Sequence, residues 1–462
     1  MPAGGGAGRG PTVFLEPFGS LVRRSESREA MERYATGLLA DLDRKTAAGI
    51  GRALPGTNAQ RVQEFLTNTA WDSQEMDRLR IEHMLRHASV GDGVVVIDDT
   101  GIAKKGKHSV GVGRQYSGTL GRVDNCQVLV TAHYVDRVFD WPVTARLYLP
   151  ESWATDSDRR EKAHVPPELA FQTKGRIGLA LLDEARQAGL RPRAVVADAG
   201  YGDQPAFLDG LEKRGLAYVV AVGVNTRFRL AEEVAADPGD PSPPAYSGRG
   251  RPRKAPSFEE RVQPRGAGAI LESLPAQRWQ IVAWREGTKG PLAKQFVRVR
   301  VHRTGARGRH LDSEGWLIGE RPLPGRRGDL KYFYAYDLDD TPVAELVDLA
   351  HVRWVIERFY QDAKGELGLD DYEGRLWHGL HRHIALVMLA HSFLTLRQTY
   401  GPEVTGPDPP EQPEGDDAAP SSLPRGFPPG GSSASPPFAD RSITSSSTRS
   451  STSSHMRGMG PI

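Results

Sequence analysis

Three acids stand where carboxylates on separate elements could converge on a metal ion: Asp99, Asp198 and Glu357. Asp99 closes a stretch that opens with Val94-Val95-Val96-Ile97, and Asp198 follows Ala194-Val195-Val196-Ala197. Each apolar run is short and continuous, the mark of a strand buried on both faces. Acids at such strand ends emerge where open α/β sheets place their ligands. Glu357 lies in a helical stretch with Arg353 and Lys364. At about 100° per residue all three fall within an arc of roughly 40°, so one helix edge carries an acid between two bases. Carboxylates hold hard divalent cations, and two such ions a few Å apart can serve both the attacking and the leaving oxygen of a phosphoryl transfer. Flanking cations would then hold phosphates. The plainer readings are a helix cap or turn for each aspartate and an exposed ion-pair ladder for the helix.

The elements that must position these residues are legible as changes of period. Residues 1–28 are expected to be disordered. Residues 29–90 read as a helical N-terminal domain, with Leu38, Leu39 and Leu42 on one face, Val62, Phe65 and Leu66 on another, and the turn Pro55-Gly56-Thr57-Asn58 between them. Its basic residues Arg44, Lys45, Arg52 and Arg61 suit phosphate contacts or a solvated face. Residues 91–224 carry the two acid-bearing strands, apolar stretches at Val128-Leu129-Val130 and Val143 to Leu147 that suggest antiparallel neighbours, a helix from about Glu168 to Ala188, and a further strand at Tyr218 to Val222. The expectation is an α/β fold with a mixed sheet. Residues 225–330 break the order as a β-rich insertion, in which Phe296-Val297-Arg298-Val299-Arg300-Val301 alternates valine with arginine. Residues 331–400 return to a strand, the acid-bearing helix and an almost wholly apolar helix from Arg382 to Arg397. Residues 401–462 are Pro-, Gly- and Ser-rich and are expected to be a disordered tail.

Composition narrows the function classes. Among 462 residues, 60 Lys and Arg stand against 58 Asp and Glu, so any nucleic-acid contact must come from local clusters rather than bulk charge. The single cysteine, Cys126, excludes an internal disulfide framework and a thiolate zinc cage. Met1 to Pro11 lacks a signal-peptide pattern, and no apolar run approaches the ~18 residues of a membrane span, so a cytoplasmic protein is expected.

The stretch Arg353-Trp354-Val355-Ile356-Glu357-Arg358-Phe359-Tyr360-Gln361-Asp362-Ala363-Lys364 resembles the Y-(2)-R-(3)-E-(6)-K signature of DDE transposases from bacterial insertion sequences, with Ala350 where the signature has tyrosine. Upstream, Val96-Ile97-Asp98-Asp99-Thr100-Gly101 resembles the first-acid strand of that family, and Val196-Ala197-Asp198-Ala199-Gly200-Tyr201-Gly202 the second. Lys104-Lys105-Gly106-Lys107-His108-Ser109, Gln115-Tyr116-Ser117-Gly118 and Asn125-Cys126-Gln127 are similar to one subgroup. The resemblance runs from about Tyr34 to Leu396, with the motifs in family order. It implies a ribonuclease-H-like sheet interrupted by the β-rich insertion. It also implies Asp99, Asp198 and Glu357 as catalytic metal ligands for two Mg²⁺ ions, for which Mn²⁺ substitutes. Asp99 is preferred over Asp98 because the family's acid directly precedes a small hydroxyl or polar residue, here Thr100. The implied partners are double-stranded DNA, as element ends and target, and a second copy of the chain on paired ends.

DNA-contact candidates are Arg353 and Lys364, the loop lysines Lys104, Lys105 and Lys107, and Arg249 and Arg251 in Gly248-Arg249-Gly250-Arg251-Pro252-Arg253-Lys254. The last segment has the form of a minor-groove hook, with a plain basic linker as the alternative. His378, His381, His383 and His391 match no zinc-ligand spacing and read as core or DNA-facing residues. Two rival functions are a catalytically inactive DNA-binding remnant with an aberrant C-terminus and an aspartyl-nucleophile phosphatase. The second would want Asp-x-Asp-x-Thr, which Asp98-Asp99-Thr100-Gly101 does not supply.

Overall fold

The computed structural model describes residues 11–88, 91–118, 121–239, 255–287, 290–305 and 308–401. Gly248 to Lys254, with Arg249 and Arg251, and the tail from 402 onward lie outside the described residues, as do residues 1–10.

One mixed sheet organises the described chain. Its strands are β1 (Val94–Ala103), β2 (Gly113–Ser117), β3 (Arg122–Val135), β4 (Asp140–Tyr148), β5 (Ala194–Ala197), β6 (Tyr218–Val222), β7 (Arg227–Leu230), β8 (Arg265–Gly266), β9 (Gln280–Gly287), β10 (Gly290–Thr304), β11 (His310–Arg321) and β12 (Lys331–Tyr336). β4, β3 and β1 pair antiparallel in that order, and β1, β5 and β6 then run parallel. The expected antiparallel neighbours of the first acid strand are thus β3 and β4. Val94 to Ile97 are fully buried, as a strand covered on both faces requires.

The β-rich segment extends this sheet instead of standing apart from it. β12 pairs antiparallel with β6 on one side and with β11 on the other, and β10, β9, β7 and β8 follow outward. Paired in this way, β6 needs no protection of an open edge. In β10 the expected alternation holds: Val297, Val299 and Val301 are buried, while Arg298 and Arg300 stack on Trp316 with their guanidinium carbons 4.1 and 4.2 Å from the ring centre.

Helices cover both faces. The N-terminal set is α1 (Ser25–Leu39), α2 (Ala47–Ala53), α3 (Ala59–Thr67) and α4 (Ser73–Leu85), followed by α5 (Lys174–Gln187), α6 (Val343–His351), α7 (Trp354–Gly365) and α8 (Trp377–Tyr400). Caps mark several starts: Thr46, Asn58, Asp72 and Thr173 each accept a backbone N–H of the first turn. α5 ends at Gly189, whose φ of +100° an L side chain rarely adopts. Residues 11–28, expected to be disordered, instead hold a short helix at Pro11–Leu15 and a 3-10 turn at Glu16–Leu21. Their anchors are apolar: Phe14 and Phe18 are buried, and Phe14 packs against His83 and Phe393. Composition alone does not register two aromatics spaced four apart on one helical face.

α8 is the central buried helix. It packs on β4 and on α1, α3 and α4, so the N-terminal helices share the core of the sheet. No helix among the described residues is long and apolar enough to cross a membrane. Three histidines of α8 face inward, with His381, His383 and His391 pushed by burial down to about 3, 4 and 3, while His378 is half-buried beside the Thr67 carbonyl. His383 Nε2 faces the carbonyls of Gly368 and Leu369, so it carries the proton, and Nδ1 accepts from the Tyr34 hydroxyl at 2.8 Å. Tyr34→Phe would leave that nitrogen buried without a partner. We expect a loss of about 1–3 kcal/mol in urea unfolding, with DNA binding unchanged.

Candidate active site

The acid pair sits on the two central parallel strands. The β1 to β5 register matches Val96 to Val196 and Ile97 to Ala197, so the next residues in step are Asp98 and Asp198. Adjacent residues in step on parallel strands point to the same face, and successive residues of one strand to opposite faces. Side-chain contacts agree. Asp98 meets Arg353, and Thr100 meets Lys364, both on the α7 side. Asp99 points the other way, where the Lys174 ammonium of α5 lies 3.0 Å from both its oxygens and the Tyr201 hydroxyl donates to it at 3.4 Å. Asp198 also caps the short helix Ala199–Gly202, accepting from Tyr201 N. Gly202 is required there, because a Cβ would fall 2.0 Å from the Ala221 carbonyl oxygen.

The surroundings raise both Asp98 and Asp198. Burial pushes the Asp98 carboxyl up to about 7, and the charges of Asp198 and Asp99 add to the rise while Arg353 opposes it. Asp198 is raised as well, first by burial and then by Asp99, again against Arg353. Asp98 is 6% exposed. A buried carboxyl with other acids near it favours its proton, or a neighbouring cation.

The cation in this structure is Arg353. It is the residue before α7, and its guanidinium donates to Asp98 at 2.8 Å and to Glu357 at 2.9 Å. Burial works against its charge, but Asp98, Glu357 and Asp198 together more than offset that. The Glu357 side chain is 59% exposed. Among the described residues no three His, Cys, Asp or Glu side chains are grouped closely enough to hold a metal ion. Neither Asp99 nor Asp98 is therefore grouped with Asp198 and Glu357 as a ready-made trio. Asp98 and Asp198 share a face, Glu357 joins them through Arg353, and Asp99 is held apart by Lys174.

The junction between α6 and α7, which delivers Arg353 and Glu357, is fixed from the extended part of the sheet. His351 at the end of α6 lies 2.9 Å from Glu320 of β11 and stacks on Trp284 of β9 with ring centres 4.2 Å apart. Glu320 is fully buried. Against a burial that would raise it, His351 and Lys294 hold its carboxyl at about 2. On the other side of α7, Arg358 donates to the buried Asp140 at 2.7 Å, and Asp140 also bonds His133.

Several basic candidates have inward roles. Lys104 donates to the carbonyls of Asp370 and Tyr372, and burial lowers its pKa. Lys364 donates to Thr100 Oγ1 and the Gly101 carbonyl, again with a pKa lowered by burial. In the N-terminal helices, Lys45 donates to the carbonyls of Leu38 and Ala40, and Arg44 pairs with Asp371 and Glu373. Lys105 and Lys107 remain exposed. Lys174, which pairs with Asp99, is not singled out by sequence; its only local signal is its place just after the Thr173 cap.

Comparison with known proteins agrees with this architecture. The family model described as DDE superfamily endonuclease matches residues 17–291, more than half of the chain, a span that holds Asp98, Asp99 and Asp198 and ends before Glu357. A curated relative from Microchaete diplosiphon, described as a probable transposase for insertion sequence element IS701, is 31% identical over 221 residues. That alignment covers 46% of this chain and 55% of the relative, so the chain spans about half the length of the curated relative it matches. With strands, acids and basic residues in family order and a family model matching most of that span, the chain belongs to the DDE superfamily endonucleases.

Proposed function

We propose that the chain is an insertion-sequence transposase, which cleaves phosphodiester bonds at the element's ends and joins the freed 3′-hydroxyl ends to target DNA. The observation that carries this reading is the Asp98–Asp198 pair, in step on neighbouring parallel strands, with Asp98 joined to Glu357 of α7 by Arg353. The order β4-β3-β1-β5-β6, three antiparallel strands followed by parallel ones, supports a ribonuclease-H-like core.

The chemistry of the donors suits divalent metal: hard carboxylate oxygens, with Asp98 and Asp198 at raised pKa and a guanidinium already on Asp98. In this proposal Asp98 replaces Asp99 as the first ligand, Asp198 is the second, and Glu357 completes the set. Mg²⁺, as two ions with Mn²⁺ as substitute, would lower the pKa of the attacking water and stabilise charge on the leaving oxygen. The protein's own work is positional. β1 and β5 hold the two aspartates side by side, α7 carries Glu357 over them, and Arg353 offers a planar fork that suits phosphate. Lys174 keeps Asp99 neutralised on the opposite face. Double-stranded element ends and target DNA are the proposed substrates, bound by a homodimer that pairs two ends.

The test is Mg²⁺-dependent nicking of a duplex carrying the sequence that flanks the gene. Cleavage that requires the metal supports the reading, and DNA binding without cleavage under any metal would leave only the inactive-remnant reading. The lysines give a second, separable expectation. Lys105→Ala with Lys107→Ala should lower the salt slope of DNA binding by about 2, one for each phosphate no longer neutralised. Lys104→Ala should leave that slope unchanged and lower stability instead, because its ammonium is engaged by carbonyls. Binding isotherms over a salt series separate the two.

A further inference from the structure

We propose that Arg353 is a built-in stand-in cation that occupies the acid cluster of the DNA-free protein. It leaves when a DNA phosphate takes the guanidinium, so that divalent-cation binding is coupled to DNA binding. The proposal rests on the reading of Asp98, Asp198 and Glu357 as cation ligands.

Three observations carry it. The guanidinium spans two of the three acids, at 2.8 Å from Asp98 and 2.9 Å from Glu357, and Asp198 adds to the attraction that keeps it there. Among the described residues no three acids are grouped to hold a metal, and Asp98 and Glu357 meet through the guanidinium instead. The Arg353 side chain is also 33% exposed and that of Glu357 59%, so the fork is open to solvent.

An arginine is suited to this role where a lysine or histidine is not. Guanidinium cannot discharge by losing a proton in a protein, so it releases the acids only by moving. Its planar fork binds a phosphate as readily as a carboxylate, so a DNA strand laid along the edge of α7 offers it an equivalent partner. Once the fork has turned to phosphate, Asp98 and Asp198 are left without the cation that faced them, and a divalent ion can take its place. The coupling must be mutual. The factor by which DNA tightens metal binding equals the factor by which metal tightens DNA binding. Without DNA, the fork blocks the site and limits metal loading; without metal, the acids hold Arg353 back from DNA.

The experiment measures Mg²⁺ affinity by calorimetry at pH 8.5 on the full chain with and without a short duplex. The DNA-free Arg353→Gln protein should bind Mg²⁺ at least tenfold more tightly than the native protein, and adding duplex should tighten the native protein by a similar factor but not the variant. Arg353→Lys keeps the charge without the planar fork and guards against misfolding; it should fall between the native and Arg353→Gln proteins. Equal Mg²⁺ affinity in folded native and Arg353→Gln proteins, with Asp98→Asn weakening both, would overturn the stand-in role while leaving the ligand assignment intact. If Asp98→Asn and Asp198→Asn leave Mg²⁺ affinity untouched, the assignment itself fails and this inference fails with it.

Discussion

Asp98→Asn and Asp198→Asn are each expected to lower end cleavage by about three orders of magnitude or more with DNA binding retained, whereas Asp99→Asn lowers it by less than tenfold. The size follows from losing a metal ligand. Metal stabilisation of a phosphoryl-transfer transition state is worth several kcal/mol, and each ~1.4 kcal/mol is tenfold in rate. The contrast between neighbours follows from the sheet. Asp98 is on the face shared with Asp198, Arg353 and α7, while Asp99 is paired to Lys174 beneath α5. Single-turnover nicking of a labelled duplex reads both. A thousandfold loss in Asp99→Asn, with Asp98→Asn active, would return the role to Asp99 and require Lys174 to release it. Glu357→Gln belongs with the two severe variants.

The adjacent aspartates define how far sequence reaches and where it stops. That a strand ends in acid at each site is legible, because runs such as Val94 to Ile97 and Ala194 to Ala197 are buried on both faces and have one reading. The helix is equally legible from the spacing of Arg353, Glu357 and Lys364. Which of two neighbouring acids faces that helix is not. One residue of register reverses every side chain of a strand, and register is set by the parallel pairing with β5, a contact nearly a hundred residues away in the chain. The family preference for an acid followed by a small hydroxyl or polar residue points to Asp99, and only the placement of Lys174 against it shows that Asp99 faces elsewhere.

The same limit applies to the basic residues. Lys104, Lys364 and Lys45 read as phosphate ligands because lysines are usually solvated, yet each donates to backbone carbonyls or hydroxyls inside the fold. An ammonium turned inward looks no different in sequence from one in water. Likewise, the alternation of Val297 to Val301 correctly implies a strand with one apolar face. That the strand joins the central sheet rests on β12 bridging β6 to β11, a pairing that no local pattern encodes.

The acid pair should also be visible in stability. Asp98 holds its proton up to about 7 in the folded protein, against an ordinary value of 3.8. The folded state therefore binds a proton that the unfolded chain releases earlier, and where the native state binds more protons stability falls as pH rises. The fall begins near pH 4, runs to about pH 7, and is complete above it. A gap of about three units, at 1.36 kcal/mol each, makes it worth up to about 4 kcal/mol. An amide in place of the carboxyl has no such proton to release. Asp98→Asn should accordingly match the native protein near pH 4 and exceed it increasingly up to pH 8, in urea unfolding with chelator present. Mg²⁺ should restore part of the native protein's deficit at pH 8 and do nothing for the variant. The substitution expected to abolish cleavage is thus expected to stabilise the fold, as when a site keeps like charges together for chemistry at the expense of stability. A native protein that loses no stability relative to Asp98→Asn between pH 4 and pH 8 would mean that Arg353 fully neutralises the pair, and that Asp98 is an ordinary buried salt-bridge partner.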